Sequence, residues 1–224
     1  MDYFFLLLKG DRVFGIGPTG IRDISNGVLR EYILVKQDHM VKVPENLSLR
    51  EASCFPCTGF TAYCFLVEKA KLKEGDKVFI HGGSGVVGVM AVQLARTIVG
   101  PTGLVVATCS PSKINTVRSL GAHEVHVLFL AKQSSNVFLF QVIDYTSTNL
   151  PDFLREHYSS RPFDLILDTV GNDHALYSNS PAYLAPSGLF CTIGIVDFGI
   201  IYFETMIINS YHSLPLRLYN LESW

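Results

Sequence analysis

Gly83, Gly85 and Gly88 follow the apolar run Val78-Phe-Ile80 in the spacing G-x-G-x-x-G, and a helix-forming stretch continues without a break to Arg96. The chemistry that needs this spacing is the grip on a diphosphate. The first glycine permits a tight turn, the second lets the backbone approach the phosphates, and the third packs helix on strand. The helix then aims its free N–H groups and the positive end of its dipole at the anion. Glycines at a strand–helix turn also occur in sheets that bind nothing. Here an apolar strand before, an amphipathic helix after and further βα units downstream make the pattern a dinucleotide signal. A P-loop is excluded, because Val89-Met90 stand where that motif needs Lys and Ser/Thr.

The next informative feature is an absence. An NAD site places Asp or Glu about 20 residues beyond the glycines to accept from the ribose hydroxyls, yet no acidic residue lies between Lys77 and His123. Thr108-Cys109-Ser110 instead close the second strand, with Lys113 one turn further on. Hydroxyl and ammonium donors accept a 2′-phosphate that a carboxylate would repel, so the sequence favours NADP(H) over NAD. The plain alternative for Lys113 is a solvated lysine at a helix start. Asp168 ends an apolar strand and is followed by Thr169-Val-Gly171, a place where α/β sheets bind ligands. It is expected either to cap the next helix or to orient the nicotinamide side of the cofactor.

Other groupings lead elsewhere. Cys54-Phe-Pro-Cys57 is half a zinc pattern with no second half, and reads as two small apolar residues in a buried junction. His81 reads as structural, bonded to backbone. Tyr32-x-x-x-Lys36 lies ahead of the glycines and alternates like a strand, so one helix face could not present both groups. No nucleophile elbow, H-E-x-x-H or convincing carboxylate pair is present.

The elements that must position these residues form a βα series. Thr58 to Leu72 is expected to be helical. Strands follow at 78–80, 104–108, 163–167 and 189–193, with helices at 86–99, 112–120, 149–158 and 173–184. The fold class is α/β, a Rossmann-type doubly wound parallel sheet. Before it, Val13-Phe14 and Tyr32-Ile-Leu-Val35 are expected strands of a β-rich segment. Residues 1–50, 51–197 and 198–224 are expected to be, in turn, a β remnant, the nucleotide-binding domain and an irregular tail. Residues 126–141 interrupt the rhythm as an insertion. No plausible last strand follows Ile193, which would leave an unpaired sheet edge.

With 224 residues, 48% apolar and 17% charged, the chain suits buried parallel strands. A net charge of −2 gives no basic footprint, so nucleic acid is not an expected partner. Five scattered cysteines point to a reducing, intracellular setting. The stretch Gly188–Phe203, interrupted by Asp197, falls short of a membrane span, so a soluble, cytoplasmic protein is expected.

The order of several motifs resembles the medium-chain dehydrogenases/reductases. These are Gly10-Asp-Arg-Val-Phe-Gly15, Val43-Pro-Glu-Asn-Leu47, Gly59-Phe-Thr-Ala-Tyr63, the glycine loop, Leu120-Gly-Ala122, Ile143-Asp-Tyr145, Phe163-Asp-Leu-Ile-Leu-Asp168 and Gly188-Leu-Phe-Cys-Thr-Ile-Gly194. The chain is most similar to the zinc-independent quinone oxidoreductase branch, with its enoyl-reductase-like and reticulon-4-interacting-protein-like members. The resemblance implies a GroES-like substrate domain of which residues 1–50 are a remnant, and a chain shortened at both ends. A mitochondrial setting stays open if a presequence is missing.

It also implies an NADPH site. Thr61 would approach the nicotinamide-side phosphate, and Gly83, Ser84, Gly85, Val86, Val87 and Gly88 would hold the diphosphate. Ser110, Lys113 and Tyr145 would surround the 2′-phosphate, with Val170, Ile193 and Gly194 near the nicotinamide. The implied reaction is hydride transfer to a small-molecule quinone or α,β-unsaturated carbonyl (enone), with no metal and no nameable catalytic acid or base. A homodimer stays open. The alternative class is a catalytically silent nucleotide-binding or protein-interaction module.

Overall fold

The computed structural model describes residues 7–16, 29–127, 149–171, 173–194 and 202–206. They fall into two compact units, Met1–Thr61 and Ala62–Trp224. The division lies eleven residues beyond the boundary expected at 50/51.

In the first unit, β1 (Val13–Gly15) pairs antiparallel with β2 (Met40–Lys42), setting Val13 opposite Lys42 and Gly15 opposite Met40. Lys42 Nζ lies 2.9 Å from Asp11 Oδ2. Two short helices, α1 (Leu49–Ala52) and α2 (Phe60–Tyr63), follow, and α1 starts on a capping box. Ser48 Oγ accepts from the Glu51 amide, and the Glu51 carboxylate accepts from the Ser48 amide at 2.9 Å. The strand expected at Tyr32–Val35 does not form. The partner of β1 is Met40–Lys42, which leaves 32–35 without a ladder among the described residues, and Tyr32 and Leu34 are exposed.

The second unit is built on β3 (Lys77–His81), β4 (Leu104–Cys109), β5 (Glu124–Val127), β6 (Phe163–Asp168), β7 (Leu184–Gly194) and β8 (Tyr202–Met206). Their order in the sheet is β5-β4-β3-β6-β7-β8, parallel except for β8. The chain winds outward from β3 through β4 to β5, then returns to the other side of β3 for β6 and β7. The crevice between β3 and β6 is therefore the topological switch point, where open α/β sheets bind ligands at their carboxyl ends. Register places His81 beside Asp168 there.

Both faces of this sheet are covered, as the period-2 side-chain alternation requires. On one face Val78, Ile80, Val105, Ala107, Leu165, Leu167 and Cys191 pack against α3 (Val86–Val99) and α4 (Ile114–Ser119). On the other, Phe79, Val106, Ile166 and Phe190 meet α5 (Leu150–Tyr158) and α6 (His174–Ser178). Helix α3 buries Gly88, Ala91, Val92, Ala95 and Val99, a stripe at helical spacing. Gly100, at φ +64°, ends it ahead of Pro101. Far from the switch point, Tyr158 Oη donates to Glu124 Oε2 at 2.6 Å while Arg161 lies over the Tyr158 ring, fastening α5 to the edge strand β5.

Three elements differ from expectation. The helix expected over 173–184 stops at Ser178. Pro181 has no N–H for a continuing helix, and a 3-10 turn at Ser180–Ala182 takes its place. Strand β7 starts five residues early, at Leu184, with an irregularity that shifts the register from Phe163–Leu184 to Leu165–Leu189. Tyr202–Met206, inside the tail expected to be irregular, is a strand that pairs antiparallel with β7 from Gly194–Tyr202 to Phe190–Met206. An antiparallel neighbour needs no crossover helix, so it breaks the βα rhythm by which a last strand was sought. The expected unpaired edge at β7 is occupied. Residues 128–148, which hold most of the expected insertion at 126–141, lie outside the described residues.

Candidate cofactor site

The carboxyl end of β3 turns at Gly82, whose φ is +82°. A Cβ there would come within 2.6 Å of Thr169 Oγ1. The tight turn expected of Gly83 therefore belongs to its neighbour, because the left-handed conformation falls one residue earlier. Gly85 N–H closes the turn on the Gly82 carbonyl at 2.9 Å, and Gly83 N–H donates to the Thr108 carbonyl at 2.7 Å. Gly88 sits directly under this turn: a Cβ on it would lie 2.2 Å from the Gly82 oxygen and 2.8 Å from Gly83 Cα. Only a residue without a side chain lets α3 approach so closely. Val89 N–H donates to the Gly85 carbonyl at 2.8 Å, the first bond of α3. The amides of Val86, Val87 and Gly88 precede it and have no intrahelical acceptor. Gly85 and Val86 are exposed. The result is a cradle of backbone donors at a helix start, which fits a dinucleotide diphosphate.

The walls of the turn come from neighbouring strands. Thr108, buried at the end of β4, accepts from Gly82 N–H at 3.0 Å and lies 2.8 Å from His81 Nδ1. His81 was expected to bond to backbone, but its ring partner is this hydroxyl, supplied by the adjacent strand. Thr169, just past β6, donates through Oγ1 to the His81 carbonyl at 2.7 Å. Burial holds the His81 pKa below the ordinary imidazole value, with Asp168 and Asp173 pulling the other way.

Asp168, 2% exposed, does not cap the next helix. Its Oδ1 accepts from the amides of Val170 and Gly171 at 2.9 and 3.1 Å, and Oδ2 accepts from Thr192 Oγ1 at 3.3 Å. The cap of α6 is Asp173, which accepts from Leu176 N–H at 2.9 Å. Asp168 thus shapes the loop carrying exposed Val170 and ties it to β7, where Ile193 is buried and Gly194 pairs with Tyr202.

The turn after β4 is of another kind. Ser110 and Lys113 are exposed and share one tight turn, with Lys113 N–H donating to the Ser110 carbonyl at 2.9 Å. Ser110 Oγ lies 3.4 Å from Ser112 Oγ. Thr61 is the last residue of the first unit, and its hydroxyl donates to the Cys57 carbonyl at 2.8 Å. Tyr145 lies outside the described residues.

Sequence reasoning missed Gly82, Thr108 and Thr169 as parts of the loop's support. The signal was only that each sits at a strand's carboxyl end. Cys54 and Cys57 are exposed, not buried in a junction, and no residue of the helical turn Phe55–Gly59 is buried. Cys109 and Cys191 are buried in the sheet, and burial pushes their thiols up to about 11 and about 12. Among the described residues no group of three or more His, Cys, Asp or Glu side chains could hold a metal ion, and no helix is long and apolar enough to cross a membrane.

No family model matches the chain. The trans-enoyl reductase poxH of Penicillium oxalicum is 39% identical over 149 residues, which cover 66% of this chain and 33% of poxH. An alcohol dehydrogenase superfamily protein from Novosphingobium aromaticivorans superposes with a TM-score of 0.63 at 28% identity, over 89% of this chain and 52% of its own. The quinone oxidoreductase of Coxiella burnetii gives 0.59 at 30% identity, over 83% and 48%. The chain matches the medium-chain dehydrogenase/reductase superfamily over part of its members' length. It spans about a third to a half of the length of these relatives. Its sheet is of the Rossmann type, and the glycine cradle lies at the switch point of that sheet.

Proposed function

We propose that this chain is the cofactor-binding portion of an NADPH-dependent, zinc-independent oxidoreductase acting on a quinone or an α,β-unsaturated carbonyl. The observation that carries the cofactor choice is the pairing of two adjacent turns. A backbone cradle follows β3, and an acid-free turn bearing exposed Ser110 and Lys113 follows β4.

The amides of Ser84, Val86, Val87 and Gly88 would hold the diphosphate, with Gly85 N–H engaged in closing the turn, and Ser110 and Lys113 would hold the 2′-phosphate. The Val170 loop, shaped by Asp168, together with Ile193 and Gly194, would border the nicotinamide. The cofactor, when bound, supplies a hydride to an electron-poor carbon. This chain's residues contribute orientation, because the described groups at the switch point are engaged in holding backbone. The substrate class rests on likeness to poxH and to the Coxiella quinone oxidoreductase.

The test is oxidation of NADPH and of NADH with phenanthrenequinone and, separately, with a trans-2-enoyl thioester. The expected result is turnover with NADPH preferred. The chain spans only part of its relatives' length, which favours a second reading, a nucleotide-binding module that is silent alone. Tight NADPH binding without turnover would select that reading, and binding of neither nucleotide would overturn both.

A further inference from the structure

Between His81 and Gly82 a single peptide unit is held from both sides by threonines of flanking strands. Its carbonyl, that of His81, accepts from Thr169 Oγ1 at 2.7 Å and from Thr169 N–H at 3.0 Å. Its N–H, that of Gly82, donates to Thr108 Oγ1 at 3.0 Å. The two hydroxyls have opposite roles, a donor from the β6 side and an acceptor from the β4 side. A peptide next to a left-handed glycine is one that rotates at little steric cost. Rotating this one by half a turn would turn its N–H toward the Thr169 N–H, a donor that cannot accept, and would give up both hydroxyl bonds as they stand.

We propose that Thr108 and Thr169 are positioning residues for cofactor binding, which clamp the His81–Gly82 peptide and so fix the glycine cradle in its binding conformation. The consequence passes along named atoms. The clamped peptide sets Gly82, the Gly82 carbonyl accepts from Gly85 N–H at 2.9 Å, and the same oxygen is the surface on which Gly88 rests. Those residues open α3 and aim its free amides. Thr108 is itself held in place. The oxygen that accepts from Gly82 also lies 2.8 Å from His81 Nδ1, so the imidazole ring and the clamped peptide share one hydroxyl. Burial of His81 favours its neutral form.

The inference rests on the NADPH reading of the site, and the experiment separates the two. NADPH dissociation constants are measured on the full chain for wild type and for Thr108→Val, Thr169→Val, Thr108→Ser and Thr169→Ser. Each valine keeps the shape and removes the hydroxyl's contacts with the clamped turn, so affinity falls by about three- to tenfold. Each serine restores the hydroxyl, and affinity returns to within about twofold of wild type. Valine variants that bind like wild type, or serine variants that bind no better than valine, overturn the inference while leaving the cofactor reading intact. A wild-type chain that binds no NADPH overturns the reading and the inference together. If a valine variant does not fold, amide hydrogen exchange on the cofactor-free wild type decides. Strong protection of the Gly82 N–H is expected, and exchange at the unfolded-chain rate overturns the clamp.

Discussion

Two turns leave the same edge of the sheet side by side, and they do their work by different physics. The turn after β3 is made of backbone. Its glycines are packed against strand, helix and each other, its N–H and C=O groups are tied to Thr108 and Thr169, and little of its geometry has slack. The turn after β4 is made of side chains. Ser110 and Lys113 stand in solvent on a short 3-10 turn, and their charge and hydroxyl can be changed without moving a neighbour. A cradle defined by shape tolerates almost no substitution, whereas a subsite defined by charge can be tuned residue by residue. On the proposed NADPH reading, the first turn would determine whether a dinucleotide binds, and the second which one.

The largest effect should come from Gly88→Ala. Its methyl meets the Gly82 carbonyl with no flexible side chain to give way. Overpacking of this kind costs roughly 1–3 kcal/mol, readable in a thermal melt, and NADPH affinity should fall along with it. An alanine variant as stable as wild type, with unchanged affinity, would break the contrast. Next comes Lys113→Ala, which should weaken NADPH by about three- to tenfold at low salt and less at high salt, leaving NADH and the melt unchanged. Equal losses for the two nucleotides would show that Lys113 does not read the 2′-phosphate.

A smaller effect comes from pH. Burial lowers the pKa of His81 at the first turn. Burial and Arg96 lower that of His123, whose Nδ1 accepts the Val105 N–H at 2.9 Å. Both are neutral in the fold and more basic in the unfolded chain. Their stabilisation is therefore complete above the ordinary imidazole value of about 6.5 and is lost as pH falls through the folded values. Tm should drop on going from pH 7.5 to 5.5, and a flat profile would count against neutral imidazoles. The smallest effect is expected of Ser110→Ala, about twofold on NADPH, since its exposed hydroxyl exchanges one partner for water.

The cradle was legible in the sequence because its requirement is negative. Positions without side chains leave a spacing that chemistry alone explains, and helix α3 followed from the stripe Ala91, Val92, Ala95, Val99. Which of the adjacent Gly82 and Gly83 takes the left-handed turn was not legible, since both residues permit it and the choice is made by Thr169 across the sheet. Long-range partners also decided the other differences. Tyr32–Val35 has strand-forming residues but β1 pairs elsewhere, and Tyr202–Met206 became a strand because β7 offered an open edge. The acid-free second turn was read directly from composition, because an absent carboxylate needs no tertiary structure to be absent.

Cys109 follows Thr108 in the chain, and Cys191 lies in the middle of β7; both thiols are sealed inside the sheet. This gives the protein two built-in reporters of its own breathing. An alkylating reagent can reach Cys109 only when the strand that anchors the glycine turn comes away, and Cys191 only when β7 separates from its neighbours. The exposed Cys54 and Cys57 would react at once and mark full labelling of the accessible set. Timed labelling read by mass spectrometry, with and without nucleotide, would then show whether ligand quiets the β4 edge alone or the whole sheet, with no residue altered.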